Sequence, residues 1–416
     1  MQGVDSISTG SQAKRLPMAE FIVLMALMTA LIALSIDAML PALDVIGYDL
    51  KSASAQQNYL IVSLFFAGMA AGQLFFGPFA DARGRRLTIL LGLVIFILGT
   101  AICYFARSIE VLLLGRLIQA FGVSGPRIAS MALIRDLYKG DAMARVMSFI
   151  MLVFILIPML APMIGQVVIQ LFGWRHLFTL FALFGVITGI WFFARQGETL
   201  KRQDRQRFKW RQFGHSLIWL VKHPVVMGST IGLGTIFGAF IGYLSASQTI
   251  FQHIYDTGSY FPVLFAVLAF SIGIASLVNS LLVMRLGMKK LAQWATTMCI
   301  VFSLFLLVCT IVYAGKPPLV LLLITLFIGF FFIGILFGNL NSMAMEPVGH
   351  IAGVGAAFIG SFSSIIAASV GVLISQQVSN SLVPIGVGFT VFSTITFLSV
   401  AYAIKKPGQN DRAKGA

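Results

Sequence analysis

A chain of 416 residues that is 58% hydrophobic and 10% charged, with a mean hydropathy of +0.94, has too little polar surface to cover a water-soluble particle. It carries 29 basic against 14 acidic residues, a net charge of +15. Its three cysteines, Cys103, Cys299 and Cys309, lie inside apolar runs and suggest no disulfide framework, and its five histidines include no pair at metal-ligand spacing.

Stretches of about 20 apolar residues cross a bilayer as helices. Bounded by charge, proline or glycine, they number twelve here, at 19–41, 57–79, 87–106, 110–133, 143–169, 175–194, 224–246, 260–284, 291–313, 318–342, 350–378 and 382–403. The chain reads as an all-α polytopic membrane protein. The first run is too long for a secretory signal peptide, and no small-residue cleavage site follows it. The breaks are short, among them the polar stretch Glu346-Pro347-Val348-Gly349-His350 between the tenth and eleventh runs.

Charge orients these spans. With the N-terminus inside, the outer loops carry only Lys51, Arg107, Arg175 and Lys316; Arg116 and Arg127 fall within a span, and the remaining 23 of 29 basic residues lie on or near the inner side. Both termini are then cytoplasmic. The positive charge serves topology and attraction to anionic lipid rather than nucleic acid. Eight basic residues between Arg195 and Lys222, interleaved with Phe208, Trp210 and Phe213, read as a solvated membrane-surface linker. That linker divides the chain into residues 1–194, 195–223 and 224–416: six spans, a basic connection, and six more spans with a short tail.

Between the second and third runs stands Gly77-Pro78-Phe79-Ala80-Asp81-Ala82-Arg83-Gly84-Arg85-Arg86. Gly77 lets two helices approach closely, Asp81 can accept hydrogen bonds from a neighbouring helix N-terminus, and the arginines hold the loop at the interface. A worn counterpart, Arg285-Leu286-Gly287-Met288-Lys289-Lys290, follows the eighth run, with Met284 where the first loop has Asp81. The fourth run holds Arg116-Leu117-Ile118-Gln119-Ala120-Phe121-Gly122 and the fifth holds Ala161-Pro162-Met163-Ile164-Gly165.

The first of these segments resembles the loop G-x-x-x-D-R-x-G-R-R of the major facilitator superfamily, with Ala82 in place of the usual basic residue and Arg83 supplying that charge one position later. The second resembles its R-x-x-Q-G-x-G, and the third the antiporter motif G-P-x-x-G-G, in which Ala161 and Gln166 stand in for glycines while Pro162 and Gly165 remain. A narrower likeness joins Leu34 to Leu43, Ala132 to Tyr138, Phe172-Gly173-Trp174-Arg175 and Glu346-Pro347…Ala352-Gly353 to the bicyclomycin/chloramphenicol-resistance branch of drug–proton antiporters. This resemblance implies two six-helix bundles around a central cavity, built from inverted repeats. It also implies that Gly77, Asp81, Arg83, Gly84, Arg85 and Arg86 form a conformational latch.

Few ionisable residues fall well inside spans: Asp37, Arg116 and Arg127. Each costs at least ~2.5–3.5 kcal/mol at mid-membrane, so a functional role is the default. Asp37, near the outer end of the first run, is the candidate proton-coupling carboxylate with Arg116 as partner; an opening cavity that loosens and tightens such a pair changes its proton affinity. The alternatives are a purely structural Asp37–Arg116 pair or an Asp37 that reaches the interface. Arg127, eleven positions after Arg116 on nearly the same helix face, is open to four readings: contact with an anionic or carbonyl-rich substrate, the cytoplasmic vestibule, a side chain that snorkels to the interface, or a pair with an acid such as Asp136. Asn58, Tyr59 and Gln119 in the first half, and Tyr243, Gln248, Asn339 and Asn341 in the second, complete the expected cavity lining. For each of these the competing role is an interhelical hydrogen bond.

With no G-x-x-x-x-G-K-[ST] loop, direct ATP drive is not expected, and nothing points to an enzyme or a cofactor. The expected activity is proton-coupled efflux of drugs or antibiotics across the bacterial inner membrane by a monomer, driven by the proton gradient. Two alternatives stand beside it: a proton-linked metabolite transporter on the same fold, and a non-transporting membrane sensor or scaffold.

Overall fold

The computed structural model describes residues 16–138, 160–200 and 210–405, with positions 146, 150, 157 and 205 between them. Among the described residues every regular element is helical, the outcome lipid imposes on a chain whose backbone groups find no water to bond. In chain order these are α1 (Met18–Asp37), α2 (Leu43–Asp49), α3 (Ala55–Arg83), α4 (Arg85–Tyr104), α5 (Ile109–Leu137), α6 (Leu160–Phe172) and α7 (Arg175–Arg195). There follow α8 (Trp210–Lys222), α9 (Pro224–Gln248), α10 (Phe261–Leu286), α11 (Met288–Val312), α12 (Leu319–Met345), α13 (Ala352–Ser375) and α14 (Val383–Lys405). Eleven spans among the described residues are long and apolar enough to cross a membrane, and α6 is the described end of the fifth expected run, whose 143–159 portion lies largely outside them.

Two elements differ from the sequence expectation. The first run does not continue as a helix to residue 41: α1 stops at Asp37, a short 3-10 turn covers Leu40–Ala42, and α2 begins at Leu43. Pro41 explains this, because it has no N–H to donate to the carbonyl of Asp37 four residues earlier and its ring crowds that carbonyl. The linker is not all loop, since its second part forms α8, which packs on α9 and α13.

Within each half the helices close on one another through small residues. Gly68 and Gly72 of α3 lie against Leu117 and Phe121 of α5, and Gly234, Gly238 and Gly242 of α9 lie against Ile366, Val370 and Ile374 of α13. Spacing by four sets each glycine groove against one ridge of the partner, and dispersion rather than the hydrophobic effect holds such contacts in lipid.

The halves meet along α3. Tyr59, Ser63, Phe66, Gln73 and Gly77 recur at three-, four- and seven-residue intervals, so they share one stripe of that helix. The stripe faces Thr249, Ser245 and Phe237 along the α9 side, and Gly360 and Ala357 of α13. Two ends of the molecule are thereby defined: one carrying Asp49 and Tyr255, the other carrying Gly84.

Candidate transport site and interbundle gate

Asp37 closes α1 with a carboxyl group that is buried (6% exposed) and has neither an ion pair nor a hydrogen bond among the described residues. The expected partner is engaged elsewhere. Arg116 donates from Nη2 to the carbonyl of Ser35 (3.0 Å), from Nε to that of Ile61 (3.3 Å) and from Nη1 to Gln119 Oε1 (2.6 Å), with its guanidinium 4.3 Å from the centre of the Phe65 ring. The reason is local: Ser35 lies in the last turn of α1, where carbonyls lack helical donors and the helix dipole favours a cation. Arg116 therefore caps α1 and ties it to α3 and α5, and leaves Asp37 alone.

The antiporter-like motif lies beside that carboxylate. Ala161, Pro162 and Gly165 share the buried face of α6, while Leu160, Met163, Ile164 and Val167 point outward. A β-carbon on Gly165 would stand 2.1 Å from the carbonyl oxygen of Ala38, the residue after Asp37, so only glycine lets α6 lie this close to the end of α1.

The expected cavity residues separate into three groups. Tyr59 and Gln248 form a polar lock between the halves at the Asp49 end. The Tyr59 hydroxyl is 2.7 Å from Thr249 Oγ1 and 3.4 Å from the carbonyl of Val378. Gln248 donates to the carbonyl of Pro41 (3.2 Å) and accepts from the N–H of Asp44 (3.2 Å), satisfying a freed carbonyl and the first turn of α2 from the opposite half. Asp44 and His253 add a 2.5 Å side-chain hydrogen bond, and Ser63 meets Ser245 at 3.4 Å. Asn58, buried against Gly47, belongs to the same end.

A second group is structural. Gln119 is fully buried between α4 and α5, bonded to Arg116 and, through Nε2, to Thr100 Oγ1 (2.8 Å). Asn339 donates to Asn279 Oδ1 (2.6 Å) inside the second half. Asn341, two residues on and hence on nearly the opposite face, is exposed, so the two asparagines do not line one surface.

Tyr243 and Arg127 make up the third group. Tyr243 packs between Phe240 and Phe330, and its buried hydroxyl has no partner among the described residues. Arg127 is half-buried and does not pair with Asp136, whose Oδ2 accepts from Arg85 Nε (3.1 Å) and Thr199 Oγ1 (3.0 Å).

The Gly84 end carries the loop from Gly77 to Arg86. Asp81 accepts from Arg85 Nη1 (2.8 Å) rather than from a helix N-terminus, because Arg85, four residues on, is nearer and charged. Arg85 is buried and also donates to the carbonyl of Ala80 (2.7 Å); Arg83 is exposed; Arg86 donates to the carbonyl of Phe193 (2.7 Å). Gly77 is the member that touches the other half, against Ala357.

The acid at a helix N-terminus is Glu198. Its two oxygens accept from the N–H groups of Arg85 and Arg86, each at 3.0 Å, and so cap α4. Gly84, at φ +105°, leaves room for that carboxylate: a β-carbon there would stand 2.4 Å from Glu198 Oε2. An acid at the start of a basic linker is the available sequence signal, but nothing ties it to a loop more than a hundred residues earlier. Glu198→Gln removes the charge from this cap and is expected to cost about 1 kcal/mol, read as a lower unfolding temperature in detergent with transport retained.

With this geometry in place, similarity to known proteins is decisive. A profile of the Major Facilitator Superfamily matches residues 25–372. The chain belongs to that superfamily. It is 27% identical over 390 residues to a bicyclomycin resistance protein homolog of Haemophilus influenzae, covering 92% of this chain and 95% of the relative. It is 28% identical to the MFS-type transporter YdgK of Bacillus subtilis (93% and 96% covered) and 26% identical to the multidrug resistance protein MdtL of Salmonella paratyphi C (88% and 91%). Among solved structures, a D-xylose–proton symporter superposes with a TM-score of 0.75 at 12% identity, covering 94% of this chain and 98% of that one. The human organic anion transporter MFSD10 superposes with a TM-score of 0.69 at 16% identity, covering 94% and 100%. These superpositions establish the transporter fold: two helical bundles, here joined along α3.

Proposed function

We propose that this superfamily member exports drug-like compounds across the bacterial inner membrane in exchange for protons, as a monomer with both termini cytoplasmic. The halves, residues 1–194 and 224–416, alternate about the α3 seam, with the basic segment 195–223 between them on the cytoplasmic side. In this orientation the Asp49 end faces outward, and the Tyr59, Gln248 and His253 contacts seal that side.

The observation that carries the reading is the solitary carboxyl of Asp37. A carboxylate in lipid without a counter-ion is expensive to keep ionised, and a site that gains and loses a proton as the bundles move is the use that offsets such a cost. Its place beside Gly165, on the broken end of α1 and one turn from the interbundle lock, couples its surroundings to the opening of the seam. The names of the Haemophilus and Salmonella relatives, bicyclomycin resistance and multidrug resistance, support drugs as the cargo.

Overexpression in a pump-deficient strain should raise resistance to a phenicol, a dye or a fluoroquinolone, and the Asp37→Asn form should not. Unchanged sensitivity across a broad panel, with proton-linked uptake of a nutrient instead, would replace this reading with metabolite transport.

A further inference from the structure

Arg127 differs from Arg116 in what satisfies it. Arg116 has three oxygen acceptors, whereas the contact Arg127 makes is from Nη1 to the thioether of Met69 at 3.8 Å, a weak acceptor for a guanidinium with five N–H groups. No carboxylate pairs with it among the described residues. Arg127 lies ten residues from the end of α5 at Leu137, about 15 Å, while Met69 lies fourteen residues from the end of α3 at Arg83, about 21 Å. The side chain therefore points toward the middle of the membrane, away from the nearer interface.

The surroundings are rich in donors. Gln73, one turn beyond Met69 on α3, is buried, and its Nε2 has no acceptor among the described residues, while its Oε1 presses on Gly360 of α13. Ser130, one turn beyond Arg127 on α5, and Ser361, next to Gly360, are buried hydroxyls likewise without partners among the described residues. Buried polar groups normally find partners. One turn on from the Met69–Arg127 contact, α3 and α5 thus carry unpartnered donors, with a third beside the α13 residue that Gln73 meets.

We propose that this junction receives the anionic oxygen group, a carboxylate, of the transported compound, with Arg127 as the residue that selects for it. The inference rests on the efflux reading and narrows its substrate class to amphiphilic compounds bearing a carboxylate. It also separates cargo from proton: Arg127 lies about 16 Å along α5 from Arg116, the residue that holds the Asp37 end of α1, so the two charges occupy different groups. A phospholipid phosphate offers the same chemistry, and the test distinguishes them.

The probes are ciprofloxacin and its methyl ester, titrated by fluorescence against purified protein in nanodiscs of zwitterionic lipid. The acid should bind at least about 10-fold more tightly than the ester, the scale of one charge-assisted bidentate pair. In Arg127→Gln that ratio should fall below about 2 with the ester's affinity kept, since the lost interaction is specific to the anion. If Arg127→Gln does not fold, Arg127→Lys carries the test: an ammonium cannot form the bidentate pair, so its ratio should be intermediate. Equal binding of acid and ester, or an unchanged ratio in the variants, overturns the assignment and leaves drug efflux standing. Loss of the ratio when anionic phospholipid is added to the discs identifies a headgroup as the occupant and also overturns it. Binding of neither probe overturns the carboxylate assignment and leaves efflux itself to the resistance panel.

Discussion

Asp37→Asn is expected to reduce drug-driven proton release from proteoliposomes at least about 20-fold, while the protein keeps its fold and its affinity for drug changes little. The argument lies in what Asp37 does not touch. Had it been paired with Arg116, neutralising it would strand a buried guanidinium, and a loss of transport would be indistinguishable from damage to the bundle. Instead Arg116 is satisfied by the carbonyls of Ser35 and Ile61 and by Gln119, so an amide at position 37 removes no structural bond. The substitution is close to isosteric and takes away the one property the reading requires, a proton that can come and go. The checking measurement is drug-stimulated acidification reported by a pH-sensitive dye, run beside thermal unfolding and drug binding on the same preparation. Coupled transport that survives in Asp37→Asn would sink the assignment, and unfolding at markedly lower temperature would restore a structural role.

The contrast between the two buried arginines shows which parts of this site the sequence can disclose. Spans were legible because lipid leaves the backbone one local solution, and a residue such as Gly84 announces the break it makes; Pro41 bounds the first span but not its helix, which ends four residues earlier at Asp37. The cost of charge in lipid likewise singled out Asp37, Arg116 and Arg127 without a structure. Partnerships were not legible. Arg116 chose backbone carbonyls over a nearby carboxylate, and every residue carries a carbonyl, so composition gives no hint of which ones lie free at a helix end. Gln248 caps the start of α2 across 204 positions of chain, and Glu198 caps α4 across 113, distances over which hydrophobic periodicity says nothing. For the same reason the sequence offers Tyr59 and Gln248 as cavity lining: a polar residue on an inward face serves equally as ligand contact or gate, and only the opposing helix decides.

Gly165→Ala should cut drug transport about tenfold or more by destabilising the outward-sealed arrangement, although alanine is the better helix former. The added methyl would stand 2.1 Å from the carbonyl oxygen, 2.9 Å from the carbonyl carbon and 3.0 Å from the Cα of Ala38. All three are backbone atoms, so no rotamer relieves the overlap, and α6 must withdraw from the end of α1. Overpacking of this kind costs about 1–3 kcal/mol. Wherever alternation of the bundles moves α6 away from Ala38 the cost disappears, so the penalty falls on one state and shifts the equilibrium about 5–150-fold. Gly214→Ala is the matched control, since a methyl there meets nothing within 4 Å. The shift is readable directly: Thr249→Cys, in the seam beneath Tyr59, should react faster with a membrane-impermeant thiol reagent when combined with Gly165→Ala. Background is low because Cys103, Cys299 and Cys309 are all buried. Unchanged labelling and transport in Gly165→Ala would mean that α6 adjusts freely, and that this glycine does not hold Asp37 in its sealed setting.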